Sequence, residues 1–282
     1  MKAVPSQFAA LCTALLAWHA PALAATHGAI SQTYSGRSLL VYVPAKLPAP
    51  GTRSLVVVLH GGLGNAQRIE AMQSEHGLNL DAAAEQHGFI VAYLNGTPVT
   101  RFLGDDKLGW NAGGGCCGVA ASSNVDDVSY IRGAIDDLAS RYGVDRSRVF
   151  GMGHSNGAMM TLRMVCETGI YAAAISIAGP LNLDTATCSA AKGKRILNIH
   201  SEQDQNVPIA GGVGSKGLSR VNYKSEERTR QIFTTAGAEF KLQIVPGADH
   251  FLDHIEAALQ QHGGPSLAQT ALGFFGLESQ SP

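Results

Sequence analysis

Charge of either sign is scarce in this chain and almost balanced. Lysine and arginine number 21 and aspartate and glutamate 22, so charged residues make up 15% and the formal net charge is −1. So small a balance gives no reason to expect nucleic acid or an anionic membrane surface as a partner. After residue 24 no apolar run approaches the ~20 residues that a membrane helix needs. Aromatics are 6%, and Trp110 is the one tryptophan beyond residue 24. That argues against an aromatic-rich module for gripping insoluble polymer. No cysteine–histidine spacing is that of a zinc site. No repeat, low-complexity linker or second composition regime appears, so residues 25–282 are expected to form one domain.

What is present begins with 45% hydrophobic residues, the composition of a soluble globular chain. Met1-Lys2 gives a positive start, Phe8 to Trp18 an apolar run, and Ala22-Leu23-Ala24 a small-x-small cleavage site. Residues 1–24 therefore have the form of a secretory signal peptide, and a secreted or periplasmic protein is expected. Four cysteines remain: Cys116, Cys117, Cys166 and Cys188. An even number in an exported chain suggests disulfides, with three possible connectivities. The preferred pair is Cys166–Cys188, because both flank the same predicted strand.

Two alternating segments, Ala29–Tyr34 and Ser38–Val43, predict an antiparallel opening. Six short apolar runs follow: Leu55–Leu59, Phe89–Tyr93, Val149–Met152, Ala172–Ile177, Ile196–Ile199 and Leu242–Val245. Helical patterns lie between them at Leu78–Gln86, Val125–Tyr142, Ala158–Cys166 and Ser225–Thr235. Buried strands alternating with helices predict an α/β fold with a mostly parallel central sheet flanked by helices. The stretch Gly211-Gly212-Val213-Gly214 is expected to be a flexible loop. Asp126-Asp127, after Ser123-Asn124, is expected to cap a helix start.

Chemistry concentrates at Gly153-His154-Ser155-Asn156-Gly157. In a chain with 33 glycines the pattern alone is weak. Its place between a strand and a helix gives it weight, because a sharp strand-to-helix turn exposes the serine hydroxyl. Ser155 is the candidate nucleophile, and the Asn156 N–H at the helix start points where an oxyanion would form. His60-Gly61-Gly62-Leu63-Gly64 ends the strongest strand and offers a second donor, Leu63 first and Gly62 as the alternative. His60 itself is expected to be a structural hydrogen-bonder more than a catalyst.

A serine needs a base and the base needs an orienting carboxylate, in the order acid then histidine. Asp204 follows the strand Ile196–Ile199, with Glu202 as the near alternative. His250 follows the strand Leu242–Val245, at a carboxyl end of the sheet where catalytic groups gather. It ranks ahead of His254, while His200 is read as structural. His250 and His254 are four residues apart and could bind zinc on one helix face. Gly247 and the preceding strand place His250 before the helix, however, and the glutamate that such metalloproteases need is missing. No metal and no cofactor are expected. His60, Trp110 and His154 are further candidates for substrate contact.

Together these pieces resemble the secreted polyhydroxybutyrate-depolymerase-like and feruloyl-esterase group of α/β-hydrolases. The resemblance runs over nearly all of the chain after residue 24. It is carried by His60-Gly61-Gly62, by Trp110-Asn111-Ala112-Gly113 leading to Cys116-Cys117-Gly118, and by Val125-Asp126-Asp127-Val128. Gly153 to Met160, and His200 through Asp204 to Val207-Pro208, complete it. It implies an α/β-hydrolase fold, a Ser155–Asp204–His250 triad and hydrolysis of carboxylic esters: short acyl esters, hydroxyalkanoate oligomers or feruloylated sugars. The acid loop lacks the glycine that usually follows the histidine, and the second histidine lacks the usual Trp-Pro, so acyl and alcohol preference are the open points. A peptidase, an acyltransferase or a silent hydrolase-fold binding protein are the rival readings.

Overall fold

A computed structural model describes residues 27–72, 77–100, 104–184, 187–217 and 219–278. The expected signal peptide, residues 1–24, lies outside them.

Among the described residues, eight strands form the central sheet: β1 Gly28–Tyr34, β2 Arg37–Val43, β3 Arg53–Leu59, β4 Ile90–Leu94, β5 Val144–His154, β6 Ala173–Ile177, β7 Arg195–Ser201 and β8 Glu239–Val245. Their order across the sheet is β1-β2-β4-β3-β5-β6-β7-β8. The β1–β2 hairpin turns at Ser35-Gly36, both with positive φ, the two-residue turn that suits the twist of the strands. β2 runs antiparallel to β4, and every later pairing is parallel. β1 and β2 coincide with the two alternating segments, and the other six with the apolar runs.

The helices are α1 Ala66–Glu70, α2 Leu80–His87, α3 Gly118–Ser122, α4 Asp127–Tyr142, α5 Asn156–Thr168, α6 Glu226–Thr235, α7 Leu252–Gln261 and α8 Leu267–Phe275. They cover both faces of the sheet, which is why β3 is buried at nearly every position. Leu55, Val57 and Leu59 pack with Ile131, Ile135 and Leu138 of α4 and with Met160 of α5. The alternate residues Val56 and Val58 pack with Ile255 and Leu259 of α7 and Phe275 of α8. This two-residue alternation makes two apolar layers from one strand. Each such side chain contributes about 1.5–3 kcal/mol when fully buried.

Asp126 caps α4 as expected, accepting from Ser129 N. Cys166, in the last turn of α5, is bonded to Cys188, the pairing preferred from the sequence, and Cys116 is bonded to Cys117. The Gly211–Gly214 expectation needs correction. Gly212-Val213 pairs antiparallel with Asn222-Tyr223, so the glycines open a small hairpin instead of a free loop.

Candidate active site

The parallel strands deliver their carboxyl ends to one edge of the sheet, and the candidate residues collect there. β5 ends at His154 and α5 begins at Asn156, with Ser155 alone between them. Ser155 sits at φ 55° and ψ −121°, a conformation that non-glycine residues seldom accept. Close backbone approach makes the turn possible. A Cβ at Gly153 would lie 2.4 Å from the Gly157 carbonyl oxygen, and one at Gly157 would lie 2.1 Å from that of Leu59. The Ser155 N–H donates to Ile177 O at 2.8 Å, which ties the turn to the end of β6.

His250, just after β8, places Nε2 2.8 Å from Ser155 Oγ. Its Nδ1 lies 2.7 Å from Asp204 Oδ2. A carboxylate only accepts, so Nδ1 carries the hydrogen and Nε2 is left to accept from the serine hydroxyl. Asp204 is buried, and its Oδ1 accepts from the N–H groups of Asn206 and Val207, both at 2.8 Å. Burial alone would raise its carboxyl, but hydrogen bonds from His200 and His250 and from the loop backbone hold it well below the usual carboxylate range. The alternatives fall away: Glu202 is exposed, and exposed His254 turns to Asp249 at 2.9 Å. His250 precedes α7, so the two histidines do not share a helix face.

Of the expected oxyanion donors, Asn156 stays a candidate and Leu63 does not. Asn156 is the first residue of α5, where N–H groups find no acceptor inside the helix. Its side chain is pinned on both sides, Oδ1 accepting from Trp110 N at 2.7 Å and Nδ2 donating to Trp110 O at 3.0 Å. Leu63, the first choice for the second donor, is corrected. Its N–H already donates to Leu108 O at 2.8 Å. The Gly62 N–H meets no acceptor among the described residues, and a Cβ on Gly62 would face Asn156 Cβ at 3.8 Å. Gly62 and Asn156 are therefore the candidate donor pair.

Ser155 and His250 border a cavity of about 720 Å³, walled by Leu63, Ile69, Met72, Val99 and Met159, with Phe251 at its edge. The size suits a small organic ligand. His60 and His154 also border it, yet both ring nitrogens of His60 and the Nε2 of His154 are engaged elsewhere. His60 Nδ1 is 2.8 Å from Gly61 O, and its Nε2 accepts from Gly96 N at 3.1 Å. Burial pushes His60 down to about 4; His154 falls to about 4 through burial and the neighbouring His250. Trp110, a candidate for substrate contact, is corrected. It is fully buried, stands behind the cavity and donates Nε1–H to His60 O at 3.0 Å. Sequence reasoning named Asp127 only as a helix-start residue and missed its contacts: the carboxylate accepts from Asn111 N at 2.7 Å and pairs with Arg37 at 2.6 Å. It also missed Glu226, buried at the start of α6. Only the composition of that helix start, two glutamates after a serine cap, could have pointed to it.

Residues 48–255 match the model of the phospholipase/carboxylesterase family. The chain belongs to the phospholipase/carboxylesterase family. Relatives of this family member include NocK of Nocardia uniformis subsp. tsuyamanensis, a protein named as an esterase, 31% identical over 195 residues that cover 68% of this chain and 52% of that one. Feruloyl esterase B of Piromyces equi is 30% identical over 181 residues, covering 63% of this chain and 31% of its own length. The chain thus spans about half or less of the curated relatives it matches. Among solved structures, LpqC, a poly(3-hydroxybutyrate) depolymerase of Bordetella parapertussis, superimposes with a TM-score of 0.54 at 17% identity, over 83% of this chain and 87% of that one. At that identity the likeness speaks for the α/β-hydrolase fold alone.

Proposed function

We propose that this phospholipase/carboxylesterase family member is an exported serine hydrolase of small or oligomeric carboxylic esters, working through an acyl-enzyme. One observation carries the reading: Ser155 Oγ, His250 Nε2 and Asp204 Oδ2 form a continuous hydrogen-bonded line at the wall of an apolar cavity. Ser155 attacks the ester carbonyl while His250 takes its proton, and Asp204 keeps the imidazole in the right tautomer. The N–H groups of Gly62 and Asn156 receive the oxyanion. The C–O bond then breaks, His250 returns the proton to the departing alcohol, and water repeats the sequence to release the acid. No cofactor takes part. The name of the Piromyces relative supports feruloyl esters among the substrates; short acyl and hydroxyalkanoate esters rest on the motifs shared with the resembled group. Export rests on the form of residues 1–24.

The test is hydrolysis of p-nitrophenyl acetate, butyrate and octanoate and of methyl ferulate by purified protein lacking residues 1–24, beside Ser155→Ala. Turnover that disappears in the variant supports the reading, and the order of substrates ranks the acyl groups. Cleavage of matched amides at equal rates, or acyl transfer to an added sugar in preference to water, would replace it with a peptidase or an acyltransferase.

A further inference from the structure

Behind Asp204 lies a second histidine–carboxylate pair that the proposed chemistry does not use. His200 and Asn198 sit two residues apart on β7 and so face the same side of the sheet. Glu226, the first residue of α6, reaches both. Its Oε1 lies 2.6 Å from His200 Nδ1, and its Oε2 accepts from Asn198 Nδ2 at 2.7 Å. All three side chains are buried, Glu226 at 1% exposure and the other two at 0%.

The other nitrogen of His200 faces the acid loop. His200 Nε2 is 2.9 Å from Val207 O and 3.4 Å from Asp204 Oδ2. A carbonyl only accepts, so Nε2 carries a hydrogen. Nδ1 faces a carboxylate, so it carries one too, and His200 stands as an imidazolium between Glu226 and Asp204. Burial alone would lower its pKa, but its hydrogen bonds to the two carboxylates outweigh that and raise it to about 10. Val207 is thus held at both ends of one residue: its O by His200 and its N–H by Asp204 Oδ1.

We propose that His200, anchored by Glu226, is a positioning residue that clamps the Asp204–Val207 turn and sets the basicity of His250 through Asp204. This rests on the reading of Ser155, His250 and Asp204 as the catalytic line. The clamp keeps Asp204 Oδ2 directed at His250 Nδ1. The positive charge beside that same oxygen also disfavours a second positive charge on His250. Removing it therefore leaves His250 easier to protonate. Other titratable groups face this line and stay unchanged in the test: His154 and Asp249 beside His250, Asp253 and His254 on α7, and Tyr223 beside Asp204. Neither His200 nor Glu226 borders the cavity.

The experiment compares the protein with His200→Gln and with His200→Gln/Glu226→Gln, the double variant removing the buried carboxylate that would otherwise lose its partner. The pH profile of kcat/KM for p-nitrophenyl butyrate is recorded, with the folded fraction measured in parallel. Expected are an acid limb displaced upward by about one pH unit, kcat lowered tenfold or more by order of magnitude, and KM changed less than about twofold. In the Ser155→Ala background the NMR titration of the His250 ring reads the same coupling without turnover, and its midpoint should rise by a similar amount. An unmoved acid limb and NMR midpoint, with activity falling only as the folded fraction falls, would overturn the proposal. Wild-type turnover that survives Ser155→Ala would instead sink the reading of function, and the NMR midpoint would still decide the coupling.

Discussion

His154 donates its Nε2–H to the backbone carbonyl of His250 across 2.9 Å, with the two rings 5.2 Å apart. The residue before the candidate nucleophile thus supports the backbone of the candidate base. His154→Leu removes the donor and leaves a carbonyl without a partner, at a cost of about 1–3 kcal/mol. It should lower kcat by roughly 10- to 100-fold through misplacement of His250, whereas His154→Gln, whose amide can still donate, should retain more activity. Steady-state kinetics with urea unfolding of the three proteins checks this; equal losses in both variants would deny the hydrogen bond a role.

The positive φ of Ser155 sets activity against stability at one position. Glycine accepts that backbone without the penalty of a Cβ. Ser155→Gly should abolish turnover and raise unfolding free energy by about 1 kcal/mol, while Ser155→Ala, which keeps the Cβ, should abolish turnover with stability unchanged. Chemical denaturation of the pair measures the difference, and a less stable glycine variant would show that the turn is unstrained.

Gly157 is the tightest point of the turn, where a Cβ would meet two carbonyl oxygens, Leu59 O at 2.1 Å and His60 O at 2.5 Å. Both are rigid backbone. Gly157→Ala should therefore destabilise the protein by roughly 3 kcal/mol or more, by displacing α5 from β3. A melting temperature within two degrees of wild type would contradict the packing described.

Acid stability should depend on His60. Its pKa in the fold lies near 4, below the usual value near 6.5, because burial disfavours the charged ring. The unfolded chain therefore takes up a proton first as pH falls, and the contribution present above 6.5 is lost on the way down to 4. It is on the order of 3 kcal/mol. Asp81, raised to about 7 by burial, has the opposite slope over the whole of this range, so the comparison must be with a variant. His60→Asn should show a shallower fall in melting temperature between pH 6.5 and 4 than wild type. Parallel curves would refute the assignment.

Much of this fold was legible because strands buried on both faces are continuous apolar runs, and β3 and β4 could hardly be anything else. The grouping of Ser155, Asp204 and His250 was legible for a related reason. Each of the three follows a recognisable strand within five residues, and a parallel sheet sends those ends to one edge. Helices α1 and α3, of five residues each, are too short for a period to show. α7 and α8 are different: Leu252, Ile255 and Leu259, and the Ser266–Gln269 capping box, were there to be read. The choice between Leu63 and Gly62 was not, because it turns on which N–H a neighbouring strand, at Leu108, has already engaged. The burial of Trp110 and the reach of Glu226 to β7 likewise depend on contacts between segments far apart in the chain.

The position of Ser155 is set by backbone meeting backbone at Gly153, Gly157 and Ile177, whereas the cavity walls are side chains from separate loops and helices, among them Met72, Val99 and Phe251. The two tasks are therefore carried by different parts of the chain. Substrate range can diverge, in nature or in a directed-evolution library, by exchange of wall residues alone, and such libraries should keep a high fraction of active clones as long as the elbow is left untouched.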